Sequence, residues 1–145
     1  MKSSNYIKLE FPGKSANEGL ARSAVAAFAA QLDPTIDELG DIKTAVSEAV
    51  TNAIVHAYPN QIGTVWLRVR LLGEEYLEIT VKDKGRGIED VERARQPLFT
   101  TGGEDRSGMG FTIMESFMDK MRVKSAPGKG TTVTLLRRIR RKREA

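Results

Sequence analysis

Residues 77–83 read LEITVKD, and their parity is the tightest constraint in this sequence. Leu77, Ile79, Val81 and Asp83 fall on one face of a strand, because strand side chains alternate with period two. Three aliphatic residues on one face call for a layer that covers them. The fourth residue is a carboxylate, which is costly under such a layer unless hydrogen-bond donors reach it. Lys84-Gly85-Arg86-Gly87 follows at once, and its glycines permit close backbone approach. The strand is thus expected to end at the rim of a covered sheet, where a ligand amino group is one natural donor. A turn-forming Asp before a glycine-rich bend is the plainer alternative.

The rest of the chain supplies the cover. Tyr6 to Phe11 alternates as a strand that Pro12-Gly13 ends. Ser15-Ala16-Asn17-Glu18 has the form of a capping box and opens a first helix over about 16 to 32. Thr35-Ile36-Asp37-Glu38 is a second such box. After it, Leu39, Ile42, Val46, Ala49 and Ala53 recur at helical spacing until Pro59 stops the helix near Tyr58. A strand through Val65, Leu67, Val69 and Leu71 turns Arg68 and Arg70 to the opposite face. A short helix is expected at 89 to 95, a loop at 96 to 107 and a helix from Gly108 to Met118. Strands at 121 to 125 and 131 to 136 flank the turn Pro127-Gly128-Lys129-Gly130. Helices and strands mix without regular alternation, which predicts an α+β, two-layer sandwich: a mostly antiparallel sheet with helices on one face.

Composition removes several classes of function. The chain has 145 residues, no Cys and a single His, His56. Disulfides, thiolate zinc sites, thiol nucleophiles and multi-His metal centres are therefore out, and a reducing compartment fits. The polar start, Met1 to Asn5, lacks the apolar core of a signal peptide, and no apolar run is long enough to span a membrane. A cytoplasmic protein is expected. The net charge of +4 is uneven: residues 137–145 carry +5, which leaves −1 for residues 1–136. The basic character is thus read as a tail appended to one domain, 1–136, rather than as a basic groove. Such a tail suits solubility, or contact with nucleic acid or an acidic partner. No aromatic residue interleaves it, so base stacking has no support.

Three further groupings could carry chemistry. Glu48, Asn52 and His56 recur at i, i+4 and i+8, on one stripe at the margin of the apolar face; a solvated helix face would look the same. Ser107-Gly108-Met109-Gly110 opens a helix, whose unpaired N–H groups suit an anion such as phosphate. In Gly130-Thr131-Thr132 parity points Thr131 inward with Val133 and Leu135, where it could share a ligand with Asp83. Neither G-x-x-x-x-G-K-[ST] nor G-x-G-x-x-G occurs.

Each grouping is weak alone, but the order is specific: E-x-x-x-N on a helix, D-x-G-x-G after a strand, a lid, G-x-G opening a helix, then G-T on a strand. From about residue 37 to 136 this resembles the ATP-binding domain shared by gyrase, Hsp-type chaperones, histidine kinases and mismatch-repair ATPases, the GHKL superfamily. The stretches SEAVTNAIVHAY, ARQPLFTTG and RSGMGFTIM look very like those of the anti-sigma serine kinases of spore-forming bacteria, over nearly the whole chain.

The resemblance implies a fold and a set of roles. Asn52 would hold the Mg²⁺ that bridges the phosphates of ATP or ADP, and Asp83 would receive the adenine amino group. Gly85 and Gly87 would let the backbone pass the base, and Thr131 would support the adenine site. Ser107, Gly108, Met109 and Gly110 would donate N–H groups to phosphates, with Arg106 adding charge. Glu48 matches the catalytic carboxylate that orients the attacking hydroxyl and accepts its proton. Histidine-kinase members usually carry Lys where this chain has His56, and no other His could accept phosphate, so self-phosphorylation on His is disfavoured. His56 is given no catalytic role.

Two functions of different class follow from the resemblance. One is a kinase that phosphorylates Ser on an anti-anti-sigma factor. The other is a nucleotide-gated clamp that sequesters a sigma factor of RNA polymerase in sporulation control. Glu48 discriminates them, because a clamp alone needs no carboxylate beside the γ-phosphate. A DNA-binding repressor acting through the basic tail has only composition behind it, and direct DNA binding is not expected. Helix one should meet a protein partner through Glu18 and Arg22, both exposed near its start; an ordinary surface ion pair is the alternative. The family suggests a homodimer, for which the Tyr6–Phe11 edge could pair.

Overall fold

The computed structural model describes residues 2–96 and 110–139. Five strands form one sheet of order β1-β2-β3-β5-β4, antiparallel at every junction. They are β1 (Ser3–Pro12), β2 (Thr64–Leu72), β3 (Tyr76–Asp83), β4 (Lys120–Ser125) and β5 (Thr131–Arg138). Helices α1 (Ala16–Ala29), α2 (Ile36–Thr51) and α4 (Gly110–Phe117) supply the second layer, and α3 (Val91–Ala94) is a single turn. This is the expected two-layer α+β sandwich.

Parity decides the core. Leu67, Val69, Leu77, Ile79, Val81, Val133 and Leu135 all point to the helices and are almost wholly covered. Ile42, Val46, Ala49 and Ala53 answer them from α2 and the turn after it. The start of α2 is fixed by a complete capping box. Thr35 Oγ1 accepts the Glu38 N–H at 3.1 Å, and Glu38 Oε1 accepts the Thr35 N–H at 2.9 Å, an arrangement worth about 1 kcal/mol.

Ser15 makes no such cap. Its φ/ψ of −53°/−36° is already helical, whereas a capping side chain needs an extended backbone to fold back. Glu18 turns instead to Arg22, and Asn17 donates to the Pro12 carbonyl at 2.9 Å. The first helix also ends early: α1 stops at Ala29 and a 3₁₀ turn, Ala30–Leu32, completes it.

The second helix does not continue as an α-helix to Tyr58. It passes at Asn52 into a π-turn, Asn52–His56, closed by Ala57 N–H to Asn52 O at 3.2 Å. Single π-turns inside helices are rare and concentrate at functional sites. Strand β5 runs beyond residue 136, the expected limit of the folded part. Arg137 donates to Asp41 Oδ2 at 3.1 Å, the Ile139 N–H reaches Glu75 O at 2.7 Å, and the Ile139 side chain is fully buried. The tail from 140 onward lies outside the described residues.

Charge is also arranged differently from the tail-only reading. The outer face of the sheet carries Lys8, Arg68, Arg70, Lys82, Lys120, Arg122 and Lys124 against Glu10 and Glu78. The pleat sorts residues by parity, so a near-neutral average along the chain conceals a strongly basic face.

Candidate nucleotide cleft

A cleft of about 1100 Å³ opens between the π-turn, the end of β3, α3 and the start of α4. Asn52, Asp83, Gly87, Gly110 and Thr131 line it, with Ala49, Ala53, Val81 and Val133 as its apolar wall. Arg86, Glu89, Asp90, Glu92 and Arg93 also line it, so an apolar wall meets many polar and charged groups, as a site for a polar small molecule requires.

Asp83 is the deepest polar group. It is 6% exposed, one of two buried charged residues among the described residues. Its Oδ1 accepts the Gly85 N–H at 2.9 Å and the Thr131 N–H at 3.2 Å. Burial pushes its carboxyl above the ordinary value, and these two backbone donors only partly offset that. Among the described residues, Oδ2 accepts no hydrogen bond, so it is open to a donor from the cleft. Register explains the approach of Thr131, which stands directly opposite Asp83 in the β3–β5 ladder. The Thr131 hydroxyl meets Ser125 Oγ at 2.8 Å, and Ser125 also receives the Ile88 N–H at 2.8 Å.

Gly85 and Gly87 each admit a close approach from within the chain. A Cβ on Gly85 would fall 2.1 Å from the Ala57 carbonyl oxygen, and one on Gly87, at φ +76°, would fall 1.9 Å from Ala126 O. Both glycines therefore admit neighbouring protein backbone, and Gly85 is not among the residues lining the cleft. The Arg86 N–H donates to Ala57 O at 2.8 Å, which ties the glycine loop to the end of the π-turn. In turn Arg86 O receives the Gly128 N–H at 2.7 Å from the β4–β5 turn.

Glu48 and Asn52 converge on the first residue of α4. A Cβ added to Gly110 would lie 3.3 Å from both Asn52 Nδ2 and Glu48 Oε2. Asn52 faces the cleft, whereas Glu48 lines a second, shallower groove of about 470 Å³ with Arg22, Gly40, Lys43, Thr44 and Ser47. Glu48 thus stands on the wall between the two. His56 also lines the cleft, but as the last residue of the π-turn it no longer continues an α-helical stripe.

Glu18 and Arg22 pair at 3.3 Å, yet they are less open than the sequence suggested. The Glu18 side chain is 21% exposed, with Oε2 buried and unpartnered, and Arg22 is 40% exposed. Arg106, Ser107, Gly108 and Met109, together with the loop from 97, lie outside the described residues.

Sequence reading missed Tyr58 and Ser125. The Tyr58 hydroxyl donates to Thr64 O at 2.8 Å and accepts the Lys84 N–H at 2.7 Å. Only tertiary pairing brings these groups together, and no spacing signals it. Ser125 had one available signal: it ends a strand whose partner begins with Thr131.

Comparison with known proteins agrees with this geometry. The family model described as "Histidine kinase-like ATPase domain" matches residues 11–137. A protein of Caldanaerobacter subterraneus subsp. tengcongensis named "Anti-sigma F factor" is 58% identical, over 99% of this chain and 100% of its own length. Another with that name, from Thermoanaerobacter sp. strain X514, is 56% identical over 96% and 97% of the two chains. Among solved structures, the RsbU and RsbW domains of Rv1364c from Mycobacterium tuberculosis share the fold at TM-score 0.70 and 20% identity, over 94% of this chain and 33% of that one. The mycobacterial sensor histidine kinase MprB does so at TM-score 0.60 and 17% identity, over 94% and 99%. A buried carboxylate at the floor of a cleft, a helix that ends in Asn52 and near-full-length identity above one half converge on one assignment: the chain is a histidine kinase-like ATPase domain and belongs to the anti-sigma F factor family.

Proposed function

We propose that this chain is a Mg²⁺-ATP-dependent protein-serine kinase that also binds and inhibits a sporulation sigma factor of RNA polymerase. The names of its relatives support the sigma partner. The observation that carries the nucleotide reading is Asp83: a buried carboxylate with one oxygen open to the cleft. An adenine amino group is a donor of the right kind for Oδ2, and a cleft of this volume accommodates a nucleotide.

In this reading Thr131 and the Asp83 loop hold the base, and Asn52 holds the metal at the phosphate end. One amide oxygen suffices, since Mg²⁺ usually takes few protein ligands and keeps waters and phosphate oxygens. Gly110, with Arg106, Ser107, Gly108 and Met109 before it, would cradle the phosphates at the helix start. Bound ATP supplies the phosphoryl group. Glu48 orients the incoming Ser hydroxyl and accepts its proton at the carboxylate. Its place on the wall between cleft and groove gives the acceptor segment an approach that does not cross the nucleotide. Arg22 borders that approach, and with its ion-pair partner Glu18 it forms part of the partner surface.

The serine-bearing substrate is an anti-anti-sigma factor, the chain works as a homodimer, and its compartment is the cytoplasm. Among the described residues, no helix is long and apolar enough to cross a membrane. The deciding experiment incubates the chain with γ-labelled ATP, Mg²⁺ and each candidate partner, then locates the label. Phosphoserine on the anti-anti-sigma factor is expected. Label on His56, or none on any partner, would reject the kinase reading.

A further inference from the structure

The outer face of the sheet, opposite the helices, is ordered in three cross-strand rows. Pairing aligns Lys8, Arg68, Thr80, Thr134 and Arg122 in the middle row. In that row cations stand at both margins and two threonines between them. The flanking rows differ between their margins: one runs Trp66, Lys82, Thr132 and Lys124, the other Arg70, Glu78, Leu136 and Lys120, so β4 carries a cation in every row and β2 in two. Glu78, on β3, is engaged by Arg68 at 3.6 Å and by Arg70, so its charge is taken up by the β2 margin. Among the described residues, Lys120, Arg122 and Lys124 have no carboxylate partner and all three are exposed.

Two polar atoms on this face are buried without a hydrogen-bond partner: Arg68 Nε and Thr80 Oγ1. They belong to residues directly opposite each other in the β2–β3 ladder. Both can donate, and neither has an acceptor among the described residues. The aromatic surface is already used, since Trp66 Nε1 donates to Glu10 at 2.8 Å and Lys84 sits 5.0 Å from the Trp66 ring centroid. That leaves little for base stacking.

The spacing selects the occupant. From β2 to β4 is three strand spacings, about 14 Å. An α-helix with its side chains is about 10–12 Å across. A nucleic-acid duplex is broader than the floor and would touch only its edges. A second copy set face to face would oppose these cations with their like. We propose that this face docks an acidic amphipathic helix of a partner protein, laid along β3 and β5 between the two cationic margins.

The test is fluorescence anisotropy of a labelled helical peptide of about 18 residues, the length that eight strand residues can seat. Alanines line its inner strip and glutamates both flanks. The full chain should bind it with an affinity that falls with salt. Arg122→Glu with Lys124→Glu should weaken it at least about tenfold, as two lost attractions become repulsions, and Arg122→Gln with Lys124→Gln should weaken it less. ATP affinity of the same preparations serves as the folding control and should not change. No peptide binding at low salt, or binding indifferent to both double variants, overturns the proposal. So does tighter binding of a random duplex DNA that the same variants abolish, which would make this a nucleic-acid face. A wild-type dimer in sedimentation that the variants split would also overturn it, because the face would then be covered by a second copy.

Discussion

The Tyr58 hydroxyl accepts the Lys84 backbone N–H at 2.7 Å, one residue beyond Asp83. It also donates to Thr64 O on β2 at 2.8 Å, so a single side chain fastens the segment after the π-turn to two strands. Asn52 and Asp83, the proposed metal and adenine residues, sit at the two ends of this connection. Tyr58→Phe should leave the Lys84 N–H and the Thr64 carbonyl unpaired while keeping the ring packed against Gly63. An orphaned buried group costs about 1–3 kcal/mol, and urea denaturation should show a loss in that range. Nucleotide affinity should fall several-fold as the Asp83 loop loosens. Trp66, the only Trp in the chain, lies beside Lys84 and reports on the loop by fluorescence. A variant with wild-type stability and affinity would dismiss Tyr58 as a fastening.

Asp83 should set opposite trends for stability and binding. Its carboxyl in the folded protein lies above 3.8 because of burial, so folding favours the protonated form. The stability this group gives is present at low pH and is lost as pH rises from 3.8 through the raised folded value. Asp83→Asn should therefore make the nucleotide-free protein no less stable at neutral pH, with any gain shrinking on acidification. Nucleotide affinity should move the other way. The amide places a donor where an acceptor is needed, and a mismatch of about 1–3 kcal/mol lowers affinity roughly 5- to 150-fold. Wild-type affinity should rise with pH through the Asp83 titration, and the variant should lack that rise. Calorimetry across pH 4 to 8 checks both trends, and identical pH profiles would remove Asp83 from the adenine site.

Arg22 borders the groove that reaches Glu48 but not the nucleotide cleft. Arg22→Glu breaks a partly exposed i, i+4 ion pair, a change worth under about 1 kcal/mol to the fold. Binding of the sigma factor or of the serine substrate should weaken about tenfold or more, because a charge at an interface reverses. ATP affinity should not move. Pull-down and calorimetry on one preparation separate the two effects, and normal partner binding would return Arg22 and Glu18 to the ordinary surface.

Strand parity was sufficient to read most of the sheet and its inward carboxylate. Leu77, Ile79, Val81 and Asp83 are buried together as alternation requires, and Thr131 stands opposite Asp83. The Thr35 box is also legible, since all its members lie within four residues. Features that depend on tertiary partners were not. The π-turn after Thr51 leaves no trace in spacing, because a single added residue per turn resembles a helix near its end. The glycines of the Asp83 loop could be identified as places of close approach, but not that Ala57 and Ala126 are what approaches them. The basic outer face escaped notice because charges that pair across strands are 8 to 60 residues apart in the chain.

Glu48 offers the sharpest separation of the two proposed activities. Its carboxylate and the Asn52 amide both reach the position a Gly110 side chain would occupy, so a metal held by Asn52 would keep the phosphate end of ATP close to Glu48. Glu48→Gln preserves size and helix but removes the charge and the proton-accepting oxygen. Loss of a general base typically slows the step about 10²- to 10⁴-fold. Nucleotide affinity should survive, because Asp83, Thr131 and Asn52 are untouched. Sigma binding should survive with it, since sequestration needs the nucleotide held, not transferred. The variant would then inhibit its sigma factor while failing to phosphorylate the anti-anti-sigma factor. Single-turnover phosphotransfer and sigma pull-down on the same preparation decide the matter. Phosphotransfer at the wild-type rate would exclude Glu48 as the base, and loss of both activities together would make its role structural.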